Sequence, residues 1–161
     1  MSEITLRVEG RYRREDTDAG LLRTALHVED VAALAYATAA ERVLEGEERA
    51  TAQRFAAHER EHAAALLTML LALTVDVRRR AVQKDVENLM PGFEALGREG
   101  TLEALLELET AAIAGQQALG RLVVELDVLR TVAMVMAGGA QHLVVLRDLL
   151  GRELLTTYDN G

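Results

Sequence analysis

Cysteine is absent from the 161 residues, which removes disulfides, zinc–thiolate sites and thiol nucleophiles. Proline occurs once and aromatic residues make up 3% of the chain. With abundant Ala and Leu, that poverty belongs to helical chains. Basic charge is in deficit: 18 bases against 26 acids leave a net charge of −8. General nucleic-acid binding needs basic surface to neutralise phosphates, so no nucleic-acid partner is expected. Lysine is nearly missing too; Lys84 stands alone among arginines, a bias read as genome composition. The Arg13-Arg14 pair is followed by Glu15, Asp16 and Asp18 rather than an apolar stretch, which argues against a secretory or twin-arginine signal. The longest uncharged window, 131–146, contains Gln141 and His142 and is too short to span a bilayer. The expectation is a soluble cytoplasmic protein with no membrane partner.

What is present is apolar and helical. Half the residues are apolar, so the chain can bury one sizeable core as a single domain. Four long helical stretches are predicted, at 17–45, 47–75, 101–125 and 128–155. The cluster Asp16-Thr17-Asp18 suits an N-cap, Gly46 a stop, and Glu47-Glu48 a helix N-terminus; Thr101 and Asp127 are further caps. Residues 76–100 read as a long crossover, with a short helix near 82–90 and a break at Pro91-Gly92. The fold class is therefore all-α: two antiparallel helical hairpins joined by one crossover, over residues 16–155. Residues 1–15, where Ile4, Leu6 and Val8 alternate, are expected to be a flexible or strand-like leader, and 156–161 a frayed tail.

The apolar stripes carry a repeat. At helical spacing the four stripes pass through Glu29, through Glu59 and His62, through Glu109, and through Gly139 and His142. Glu29 to Glu109, Glu59 to Gly139 and His62 to His142 are each 80 residues apart. Glu29 to Glu59 and Glu109 to Gly139 are each 30 apart. Glu29 lies 17 residues before Gly46 and His62 lies 16 after it. At about 1.5 Å rise per residue the two side chains reach the same height. Counting from Leu126, Glu109 and His142 match in the same way. No Lys or Arg interrupts these stripe segments. Three buried carboxylates and two imidazoles with no cation are costly, and a divalent metal is the simplest compensation. Imidazole and carboxylate without thiolate suit iron, manganese or zinc.

These residues resemble the ferritin-like superfamily, whose pattern is one Glu from each of two helices and Glu-x-x-His from each of the other two. Glu29 in ALHVEDVAALAY, Glu59-Arg60-Glu61-His62, and Glu109 in LLELETAAIAG match three of the four; Gly139-Ala140-Gln141-His142 matches the fourth except that Gly replaces Glu. The resemblance covers about residues 18–155 and looks nearest to bacterial ferritin-like domain proteins, through HEREHAAAL and AQHLVVLRDLLG. It implies a ferritin-like four-helix bundle with metal ligands Glu29, Glu59, His62, Glu109 and His142. In di-iron members the Glu of each Glu-x-x-His bridges the two ions, so Glu59 is left as the single bridge. One ion is expected at Glu29, Glu59 and His62; a second, at Glu109 and His142, is short of a ligand.

Three accounts of Gly138-Gly139 stay open: a π-bulge or kink, space for a water, anion or substrate, and decay of a disused site. Tyr36 either hydrogen-bonds a ligand or packs, packing being favoured. His27 and His58 read as exposed or interface residues, Met134 and Met136 as core, and the runs 45–49 and 78–80 as solvated faces. Three functions compete: a metal-binding protein with redox or ferroxidase-type chemistry, a metal-free bundle serving as an interaction module, and a mononuclear hydrolase or oxygenase at Glu29, Glu59 and His62. A water or carboxylate filling the place at Gly139 favours metal; a dry His142–Glu109 pair favours the module. No catalytic residue is assigned, and apolar outer helix faces would favour a homodimer.

Overall fold

The computed structural model describes residues 17–77 and 79–152, together with Ile4, Arg7 and Val8. Among them are five α-helices and no strand: α1 Asp18–Arg42, α2 Gly46–Ala72, α3 Gln83–Leu89, α4 Arg98–Gly120 and α5 Leu126–Leu149, with a 3-10 turn at Phe93–Ala95. The all-α bundle of two hairpins and a crossover is thus the observed fold: α1 pairs with α2, α4 with α5, and α1 packs on α4 while α2 packs on α5.

Local chemistry explains the ends. Thr17 takes extended backbone and its hydroxyl accepts from Gly20 N at 3.2 Å, capping α1. The first hairpin turns where Leu44 N returns to Ala39 O at 3.0 Å and Gly46 adopts φ +53°, a left-handed conformation that favours glycine. Thr101 is not a cap. α4 starts earlier, after Gly97, and Thr101 is buried inside it with no hydrogen bond to its hydroxyl. Asp127 likewise sits in the first turn of α5, one residue inside it, and α5 ends at Leu149 rather than near 155. Residues 156–161 lie outside the described residues.

The crossover is pinned. Arg80 makes a two-pronged ion pair with the buried Asp30 of α1, and Arg79 reaches Asp85 at 3.0 Å. Asp85 Oδ2 also accepts from Val82 N at 2.9 Å, which starts α3. Arg79 and Arg80 are exposed, as a solvated run would be, and also tie the crossover down. The leader also differs from expectation at its described positions: Ile4, Arg7 and Val8 are helical, and Ile4 and Val8, four apart on one face, bury against the core.

Two apolar clusters fill the bundle. One gathers Tyr36, Phe55, Val86, Phe93, Leu105 and Leu146; the other gathers Leu22, Leu26, Leu66, Leu119, Val132 and Val135. The stripe residues Glu29, Glu59, Glu109 and His142 are buried in the layer between them. α5 is long and apolar enough by length and composition to cross a membrane, but its stripe of Val128, Val132, Val135, Gly139, His142 and Leu146 faces into the bundle. Met134 lies on the opposite face, 56% exposed, so it is not a core residue.

Candidate metal centre

The polar layer is built from one turn of each long helix. Glu29 comes from α1, Glu59 and His62 from α2, Glu109 from α4 and His142 from α5. All five meet. His62 Nδ1 lies 3.0 Å from Glu59 Oε2 and 3.3 Å from Glu29 Oε2. His142 Nδ1 lies 2.7 Å from Glu59 Oε1 and 2.9 Å from Glu109 Oε1. Two groups, Glu29–Glu59–His62 and Glu59–Glu109–His142, each bring three ligand atoms within 4.8 Å of one another. Glu59 stands in both, one carboxylate oxygen turned to each.

Among the described residues the ion-pair partners of these carboxylates are His62 and His142. The proton distribution follows. Burial pushes Glu29 well up, and the neighbouring Glu59 charge adds to it. Burial also raises Glu109, to about 7, with Glu59 again adding. Burial opposes ionisation of Glu59 as well, but hydrogen bonds from Glu29, His142 and His62 outweigh it and hold this carboxylate below the usual range. For the imidazoles burial pulls down, but the carboxylates win. Glu29 and Glu59 hold His62 up at about 10; Glu109 and Glu59 hold His142 up at about 9.

The donor set fits a divalent cation. Glu59 Oε1 is buried, and the one N–H it faces, Nδ1 of His142 at 2.7 Å, is directed at Glu109, so this oxygen has no donor of its own. An orphaned carboxylate oxygen at the junction of two Glu–His sets is the group a metal would satisfy.

Supporting residues emerge that spacing alone did not assign. Tyr36 donates its hydroxyl to Glu109 Oε1 at 2.6 Å, so it does more than pack. Gln116 Nε2 donates to Glu29 Oε1 at 2.7 Å. Tyr36 and Gln116 are themselves 80 residues apart, each seven beyond its own helix's Glu, and each bonds the Glu of the other helix. The 80-residue repeat is the sequence signal for this pair. Burial raises the Tyr36 hydroxyl well up, and the Glu109 charge adds to it, so Tyr36 stays a donor. His58 is exposed, as its off-stripe position implies, yet its ring edge meets His142, with Nδ1 3.2 Å from Nε2. His27 is partly buried and lines a separate cavity of about 490 Å³ with Arg23 and Asp76.

The glycine pair is also resolved. α5 runs through it as unbroken α-helix, with no π-bulge. Nor is there room left over at position 139: a Cβ there would stand 3.2 Å from Glu109 Oε2 and 3.4 Å from Ile113 Cγ1. Glu109 itself has taken the space. At Gly138 a Cβ would stand 2.4 Å from His62 Nε2, so this glycine is what lets His62 lie against α5.

With that geometry in place the comparisons are direct. No curated protein matches the chain. A solved structure described as a candidate ferritin-like diiron-carboxylate protein of Thermotoga maritima superposes with a TM-score of 0.69. It is 20% identical, and the match covers 87% of this chain and 98% of that one, which establishes the fold. The ferritin-like domain family model matches residues 17–152. The chain belongs to the ferritin-like domain family.

Proposed function

We propose that the protein binds one or two divalent transition-metal ions in its bundle core, through Glu29, Glu59, His62, Glu109 and His142. Iron is the first choice, with manganese and zinc next by ligand chemistry. The observation that carries this reading is the shared Glu59, which offers one oxygen to each of two Glu–His sets while Oε1 has no donor of its own. The site is an incomplete di-metal centre, since position 139 brings no carboxylate. Bound iron would supply redox or ferroxidase-type chemistry. The chain's own part is to hold the ligands: Tyr36 fixes Glu109, Gln116 fixes Glu29, and the two apolar clusters pack around the carboxylates.

The buried His142–Glu109 hydrogen bond of 2.9 Å favours a second reading, a metal-free bundle acting as an interaction or structural module. Metal analysis of protein purified without an affinity tag separates the two. One or two atoms per chain, directly or after anaerobic ferrous loading, support the metal reading. None under both conditions overturns it.

A further inference from the structure

We propose that His58 is a positioning residue for His142: it accepts the Nε2–H of that imidazole and so aims Nδ1 at Glu59 and Glu109. This rests on the metal-binding reading for its purpose but not for its geometry. His58 Nδ1 lies 3.2 Å from His142 Nε2, with the ring planes within 14° of parallel and the centroids 5.5 Å apart, so the rings meet edge to edge. Phe55 stacks on a face of His142 at 3.9 Å, so one residue of α2 holds the ring's face and another meets its edge.

The direction of the bond follows from the site. A ligand nitrogen must be free of its proton, and the nitrogen of His142 that faces the carboxylates is Nδ1. When a metal takes Nδ1 in place of its proton, the ring carries its hydrogen on Nε2 and must donate it. His58 Nδ1 is then the acceptor, and the hydrogen of His58 sits on its own Nε2, on the exposed side of the helix. Partners of this kind fix tautomer and ring orientation in metal-ligating histidines.

The repeat shows that the arrangement is one-sided. Position 58 corresponds to position 138, 80 residues on. Each lies against the histidine of the opposite hairpin, His58 on His142 and Gly138 on His62. At 138 there is no side chain, so His62 meets only backbone there. The half-site that lacks a fourth-helix carboxylate is thus the one whose imidazole has a dedicated acceptor.

The test is anaerobic ferrous titration of the full chain, wild type against His58→Ala and His58→Asn, with Glu29–Glu59–His62 as the internal reference site. Asn places a carbonyl oxygen where Nδ1 stands. His58→Ala should weaken the Glu59–Glu109–His142 site about 10- to 100-fold, leave the reference site within about twofold, and be restored by His58→Asn. Equal affinities in all three proteins, or equal losses in both variants, overturn the proposal. A second readout needs no metal: the His142 Nε2–H proton, followed by NMR, should be protected from exchange in wild type and His58→Asn and lost in His58→Ala. If wild type takes up no iron, the metal reading has failed and this proton alone decides; its persistence in His58→Ala would sink the His58 assignment.

Discussion

His62 rests its imidazole edge against the bare backbone of Gly138, where a Cβ would come within 2.4 Å of Nε2. No real Cβ contact is that short, so any side chain at 138 must push the ring away from Glu29 and Glu59. Gly138→Ala is expected to lower metal content as far as His62→Ala does, although Ala favours helix over Gly by roughly 0.5–1 kcal/mol. The pairing predicts less metal in a chain whose helix α5 is intrinsically better. Metal per chain and thermal melting, read on the same samples, check both halves; unchanged metal content would mean that His62 does not need this glycine.

Gly139→Glu restores the carboxylate of the family pattern, but not into empty space. Its Cβ stands 3.2 Å from Glu109 Oε2, so Glu109 must yield by a few tenths of an ångström. It also adds a carboxylate where burial already pushes Glu29 and Glu109 up. The expected outcome is a lower melting temperature without metal, recovered on loading, with occupancy rising towards two ions per chain. Melting curves with and without ferrous ion test this; a variant that melts lower and gains nothing from metal would contradict it.

The pH dependence has a definite sign. His62 and His142 are raised from 6.5 to about 10 and about 9 in the folded, metal-free chain. Their contribution to stability is fully present below the unfolded value and is lost as pH rises through 9 to 10. Glu109, raised from 4.5 to about 7, acts in the opposite sense to a paired carboxylate: it costs stability as pH rises from 4.5 to 7. Metal must displace protons from both imidazoles and from the raised carboxylates Glu29 and Glu109, so affinity should climb between pH 6 and 9 and filling the whole site at pH 7 should release more than two protons. Calorimetry in buffers of different ionisation enthalpy counts them; no proton release would remove the imidazoles from the ligand set.

Tyr36→Phe deletes the hydroxyl that donates to Glu109 Oε1 at 2.6 Å and leaves a buried acceptor with one partner fewer. Leaving a buried acceptor short of a donor costs about 1–3 kcal/mol, so the metal-free variant should lose stability of that order in urea. Gln116→Leu should do the same on the other side of the repeat, through Glu29. Losses below about 0.5 kcal/mol in both would show that these bonds hold nothing in place.

His62→Ala and His58→Ala separate ligand from support. His62 faces Glu59 and Glu29 with Nδ1, and its loss should empty the half-site it belongs to. His58 reaches the site through the far nitrogen of His142, and its loss should weaken a site without emptying it. Metal content at saturating ferrous ion measures the difference; equal effects would undo the ligand assignment.

Sequence alone determined the helices, the hairpin pairing and the polar layer. Amphipathic periodicity and a constant 80-residue offset are properties of one helix face at a time, and they persist whatever the neighbouring helices do. The height match of Glu29 with His62 needed only the rise of a helix and the position of a turn. Contacts between helices were decided elsewhere. That Tyr36 bonds Glu109 and not its own helix's Glu29, that Glu109 fills the space at Gly139, and that Gly138 admits His62 all depend on how close and at what rotation the helices pack. Helix boundaries shifted for a similar reason: Thr101 has the chemistry of a cap, but burial drew it inside α4. Arg80, in a run that looked like solvated charge, found Asp30 because the crossover lies across α1. Spacing along the chain states which residues share a face; only tertiary packing states which faces meet, because packing is set by the volumes of all side chains in the layer together.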